Sequence, residues 1–206
     1  MKLFSYLKVS QNAACITAVI IFVFNSIAFA QDLPPIDSKT WTTKYDEHFR
    51  KYSKRFFGVG FDWKWFKAQA IAESSLKDDA KSWAGAKGIM QIVPRTFTEI
   101  KGKNPTFTDI NEPRWNIAAG IYYDNQQYRR WTDISTQDDK LSFMFASYNA
   151  GRSTILNAQR VSKREGYQGI TWDHIEAVAL KVPRWRHDET LGYIKKIFKL
   201  MNKTEK

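Results

Sequence analysis

Almost no stretch of this 206-residue chain alternates apolar and polar residues as a half-buried strand does; its apolar residues return every three or four positions instead. That period confines the chain to a mainly α fold. Tyr45, Phe49, Tyr52 and Phe56 follow at steps of four, three and four and mark one face of a first helix, which Gly58 and Gly60 stop. Asp62 is an N-cap for a second helix near Trp63 to Ser74, which turns Phe66, Ala70 and Ile71 inward and carries Glu73 at its C-terminal end. Pro94 starts a short helix to about Ile100, and the polar run Lys101 to Thr108 reads as a loop. Asn111 with Pro113 starts a helix to about Trp131, with Trp115, Ala118, Ala119 and Tyr122 on one face. Asp138 caps the next, where Leu141, Phe145 and Tyr148 share a side. Further helical runs are expected near Ser153 to Lys163, Trp172 to Leu180 and Asp188 to Met201.

The first thirty residues stand apart. Lys2 and Lys8 make a basic start, Ala13 to Phe24 is apolar, and Ala28-Phe29-Ala30 is a small-residue cleavage site. This order is that of a secretory leader cut between Ala30 and Gln31, and the apolar run is short for a membrane-spanning helix. The only cysteine, Cys15, lies inside it, preceded by Asn12-Ala13-Ala14, which does not suit a lipid anchor. Residues 31–44 read as an extended lead-in and 45–206 as one domain. Such an exported domain has no disulfide framework and depends on its core alone. A chain of this length can bury about 70% of its unfolded surface, so one domain is sufficient.

The formal net charge is +11, or +9 once Lys2 and Lys8 leave with the leader. Anionic surfaces and polymers attract such a protein. Export makes nucleic acid the poorest partner, and the basic residues are spread from Lys51 to Lys206, as a solvated surface also has them.

The densest chemistry lies in Ala72-Glu73-Ser74-Ser75 followed by Gly85-Ala86-Lys87-Gly88-Ile89-Met90-Gln91-Ile92. Glu73 closes an apolar run at a helix C-terminus. Burial and the helix dipole both disfavour its carboxylate there, so it becomes an acid able to protonate a leaving oxygen near neutral pH. Gly85 and Gly88 allow a tight turn. Met90 offers apolar wall, and Gln91 offers donor and acceptor atoms to a polar ligand. Further on stand Ser147-Tyr148-Asn149-Ala150-Gly151, and Glu189-Thr190 three residues before Tyr193.

Together these blocks resemble the soluble lytic transglycosylase family, over roughly Tyr45 to Lys199. The resemblance implies a lysozyme-like, mainly α single domain, with room for a small β-hairpin around Gly85 to Ile92. It implies Glu73 as the sole catalytic acid/base. Ser74, Met90, Gln91, Tyr148, Asn149 and Tyr193 follow as substrate-site residues, with Tyr148 orienting Glu73 or lining the floor and the Tyr193 hydroxyl approaching Glu73. The implied substrate is the glycan strand of peptidoglycan. Its bond between N-acetylmuramic acid and N-acetylglucosamine is cleaved without water, leaving a 1,6-anhydro end. Ser147 and Ile89 depart conservatively from the family pattern.

Most glycosidases need two carboxyl groups. Asp78 and Asp79 are the nearest candidates for a second, and both read as turn residues. Their weakness favours the transglycosylase over a goose-type lysozyme, a hydrolase of related fold. A non-catalytic glycan-binding or assembly protein is the alternative of another class, and the presence of Glu73 speaks against it. Local wall opening for a secretion or conjugation apparatus, with cell-envelope assembly partners, is compatible with the chain. His48, His174 and His187 share no metal-ligand spacing, and no nucleotide loop is present. The expectation is a monomer without metal or cofactor, exported to the periplasm or cell envelope, and Trp83 is a candidate sugar-stacking residue.

Overall fold

In the computed structural model, the described residues, 41–202, form eight α-helices and one 3-10 turn. The leader read at 1–30, most of the lead-in and residues 203–206 lie outside the described residues. The helices are α1 (Asp46–Phe57), α2 (Lys64–Ser74), α3 (Pro94–Lys103), α4 (Pro113–Arg130), α5 (Gln137–Ala150), α6 (Arg152–Arg164), α7 (Trp172–Glu176) and α8 (His187–Asn202), with the 3-10 turn at Ala179–Lys181 before α8.

The pattern of apolar spacing decides which helices are central. In α5, Leu141 to Ser147 are buried without a break, so this helix is covered on every side. It packs on α4, α6 and α8, while α1 lies against α4, and α2 against α8. The middle of α4 is likewise buried from Asn116 to Ile121. By contrast α1 and α6 bury one stripe each, Phe49 and Tyr52 in the first, Ile155, Ala158 and Val161 in the second.

Boundaries differ from the sequence reading where side chains cap locally. Thr136, not Asp138, is the N-cap of α5, because its hydroxyl accepts the Asp139 amide at 3.1 Å. Asp62 lies one residue before the N-cap position, Trp63, and accepts the Lys64 amide at 2.9 Å. Helix α3 runs to Lys103, past the expected stop, since the amide and side chain of Asn104 both close onto the Ile100 carbonyl. The run expected from Trp172 to Leu180 breaks into α7 and the 3-10 turn.

Among the described residues there is no strand. The hairpin considered at Gly85 to Ile92 is instead a knotted turn with two isolated bridges, Lys81 to Lys87 and Lys87 to Ile92. Gly88 sits at φ +73°, and a Cβ there would meet Asn116 Nδ2 at 2.6 Å.

Candidate active site

Helix α2 ends just after Glu73, and it ends without glycine. Ser75 and Leu76 both take left-handed backbone, at φ 55° and 62°. That conformation is unfavourable for residues with a side chain. Burial of Leu76 draws the chain back into the core and offsets the strain. Glu73 is thereby left on the last turn, half-buried, facing α8.

Its carboxyl group meets four influences, the last of them the Glu189 carboxylate, which raises its pKa. Burial comes first and pushes its pKa from 4.5 up to about 7; the Tyr193 hydroxyl and the Lys196 ammonium pull it down. The Tyr193 hydroxyl donates to Glu73 Oε1 at 2.6 Å, across 120 residues of sequence. Lys196, one turn further along α8, donates to the Ala72 carbonyl at 3.2 Å, so a cation stands at the C-terminus of α2 where the helix dipole favours it. The result is a carboxyl group that holds its proton to neutrality yet has a donor waiting for its ionised form.

The turn 80–92 is fastened to three helices. Ser74 Oγ donates to the Ile89 carbonyl at 2.8 Å. Buried Asn116 of α4 accepts the Met90 amide at 2.8 Å and donates to the carbonyls of Lys87 and Ile110, each at 2.9 Å. From α5, the Tyr148 hydroxyl donates to the Met90 carbonyl at 2.6 Å.

Several of the residues named from the sequence bond to backbone. The Tyr148 hydroxyl bonds the turn, and Tyr148 and Glu73 act on each other through charge. Met90 is fully buried, with its side chain against Gly120, and so supports the wall from behind. Gln91, at φ 46°, spends its amide nitrogen on the carbonyls of Gly88 and Ala80, at 2.8 and 3.2 Å, so it locks the turn it belongs to. Ser74 is likewise tied to backbone.

Asn149 is held by a different set of bonds. It lines a cavity of about 210 Å³ together with Thr154, Arg184, Trp185, Arg186 and Glu189. Its Oδ1 accepts from Thr190 Oγ1 at 2.9 Å, and Thr190 in turn accepts from Trp185 Nε1 at 3.0 Å. With the oxygen held, the amide NH2 is what Asn149 can offer a ligand. Trp83 is almost wholly exposed on the turn, at 93%.

The two aspartates that follow Glu73 in the sequence are placed differently from it. Asp78 accepts from the Tyr45 hydroxyl at 2.7 Å and from Lys44 at 3.3 Å, and the Tyr45 bond is the main cause of its lowered pKa. Asp79 is exposed. No group of three or more His, Cys, Asp or Glu residues that could hold a metal occurs among the described residues.

The sequence reading passed over Asn116, Lys196 and Thr190. Asn116 interrupts the otherwise apolar middle of α4, and Lys196 follows Tyr193 at helical spacing; both were signals of a kind. Thr190 stood in the Glu189-Thr190 block without a role.

Residues 51–170 match the family model of the transglycosylase SLT domain. The chain is 32% identical over 136 residues to the membrane-bound lytic murein transglycosylase F of Desulfosudis oleivorans, covering 65% of this chain and 29% of that one. It is 26% identical over 166 residues to the protein of the same name from Maricaulis maris, covering 79% and 35%. The chain thus spans about a third of the length of these relatives. The 70 kDa soluble lytic transglycosylase SLT70 of Escherichia coli superposes with a TM-score of 0.56 at 24% identity, over 76% of this chain and 23% of that structure. A complex of the 70-kDa soluble lytic transglycosylase with bulgecin A gives 0.51 at 21%, over 77% and 24%. At such identities the likeness is one of fold, and that fold is the lysozyme-like, mainly α one. With more than half of its length matched by the family model, the chain belongs to the transglycosylase SLT domain family.

Proposed function

We propose that this chain is a peptidoglycan lytic transglycosylase that cleaves the β-1,4 bond between N-acetylmuramic acid and N-acetylglucosamine, with Glu73 as acid and then base. The observation that carries this reading is the Glu73 carboxyl group, lifted to about 7 and held by Tyr193. An acid of that strength is half protonated at neutral pH, where proton delivery to a leaving oxygen is most effective.

In the first step Glu73 gives its proton to the glycosidic oxygen, the bond to C1 of the muramic acid breaks, and the sugar's own acetamido oxygen stabilises the positive centre. The Tyr193 hydroxyl donates to the carboxylate that this leaves behind. In the second step Glu73 takes the proton of the C6 hydroxyl, O6 bonds to C1, and the 1,6-anhydro ring closes. Glu73 ends protonated, as it began, and water is not consumed. The engagement of Asp78 by Tyr45 and Lys44 supports a route with one carboxyl group. Asn149 supplies amide N–H donors to the sugar, and the turn 80–92 shapes the wall behind the scissile bond.

The leader at 1–30 fits the same reading, since the substrate lies in the cell envelope, and N-terminal sequencing of exported protein is expected to begin at Gln31. The decisive test incubates purified protein and a Glu73→Gln variant with peptidoglycan and weighs the released fragments. Products lighter by one water than their hydrolysed counterparts, abolished in the variant, are expected. Ordinary reducing ends would make the chain a lysozyme, and binding without release would make it a glycan-binding module.

A further inference from the structure

A second carboxyl group lies behind Glu73, and the proposed reaction does not use it. Asp124 of α4 and Gln69 of α2 are both fully buried. Gln69 Nε2 donates to Asp124 Oδ1 at 3.2 Å. The other oxygen of each group, Gln69 Oε1 and Asp124 Oδ2, has no hydrogen-bond partner in the protein. Two orphaned acceptors on a facing amide and carboxyl are costly, the more so if the carboxyl is charged.

One proton removes both. A protonated carboxyl gains a donor, and an acid facing a primary amide closes a ring of two bonds, amide N–H to one oxygen and acid O–H to the amide oxygen. Gln69 and Glu73 are one turn apart on the same face of α2, so whatever fixes Gln69 fixes the face that carries Glu73. The groups whose charge or dipole acts with Asp124 are Gln69 and Glu73 of α2, its neighbour Tyr123, Tyr148 of α5 and Tyr193 of α8. None is a cation.

We propose that Asp124 is a positioning residue kept as a neutral acid, its Oδ2 hydrogen shared with Gln69 Oε1, so that an acid–amide pair anchors the Glu73 face of α2 without a second negative charge behind it. Burial of Asp124 favours the same protonated form. The positioning role rests on the reading of Glu73 as the acid; the acid–amide pair does not.

The test has a spectroscopic arm and a kinetic arm. Infrared spectra are taken two pH units above the Glu73 value of about 7, where Glu73 and the surface carboxyls are ionised. The wild type is expected to keep the C=O band of a protonated carboxylic acid there, and Asp124→Asn to lose it. A carboxylate band in its place overturns the proposal. Asparagine can make both bonds of the pair, so Asp124→Asn should keep the wild-type kcat and the same alkaline limb. Were Asp124 ionised, removing its charge would lower the Glu73 pKa and move that limb to lower pH, which also overturns the proposal. Asp124→Leu should lower kcat about tenfold or more at unchanged KM, by misplacing the acid. If that variant does not fold, the double variant Gln69→Leu/Asp124→Leu, which leaves no orphan, takes its place in the comparison. Wild-type kcat in the leucine variants would mean that Asp124 positions nothing. The infrared band needs no turnover, so it decides the pair even if peptidoglycan is not cleaved.

Discussion

Because burial lifts the Glu73 carboxyl from 4.5 to about 7, the proton that drives the proposed reaction also contributes to folding. The folded-state pKa is the higher one. The proton's contribution is therefore whole below pH 4.5 and is lost as pH rises to about 7. Its size is on the order of 3 kcal/mol. Glu73→Gln carries no charge at any pH, so denaturant titrations should show it gaining on the wild type between those two values and keeping a constant lead above them. Equal stability of the two at pH 8 would mean that Glu73 is not desolvated. Tyr193→Phe removes the donor that favours the carboxylate, so the Glu73 pKa should rise further. Its pH–rate profile should show the alkaline limb displaced upward with a lower maximum; an unmoved limb would separate Tyr193 from the proton. Of this residue-level picture, Glu73 and the approach of Tyr193 were legible in sequence. The burial of Met90 and the backbone bonds of Gln91 and Tyr148 were not, because a polar or apolar side chain beside a motif reads the same whether it faces a ligand or the backbone behind it.

At the scale of elements, the site depends on how the turn 80–92 is joined to the helices. No strand pairing stiffens it, and its order comes from Ser74, Asn116 and Tyr148 bonding its backbone from three helices. Gly88 is the closest point of approach. Alanine there would combine a left-handed φ with a Cβ 2.6 Å from Asn116. Gly88→Ala should cost about 2–4 kcal/mol in denaturant unfolding and lower kcat through a displaced turn. A variant of native stability would show that the turn has another arrangement open to it. Helix existence was readable from apolar spacing, since a helix that buries one face must repeat every three to four residues. Helix ends were less so. Thr136 took the cap expected of Asp138, and α2 stopped on two left-handed residues that no glycine marks.

For the whole molecule, a chain of formal net charge +11, which becomes +9 on loss of the proposed leader, meets a polymer that the proposed function places in the cell wall. Retention on sedimented peptidoglycan should fall as salt rises from low to physiological ionic strength, because exposed charges are screened within about 8 Å there. Retention that ignores salt would leave the charge to solubility alone. The sequence by itself determined the helical class, the place of Glu73 at a helix end, and the family, because periodicity and motif spacing are local properties of the chain. Only the tertiary structure decided what surrounds that carboxyl. Tyr193 reaches it from 120 positions away, Asn116 and Tyr148 hold the turn beside it, and Asp124 lies buried behind it. Those contacts follow from how α2, α4, α5 and α8 pack, and packing brings together residues whose order along the chain carries no record of their distance in space.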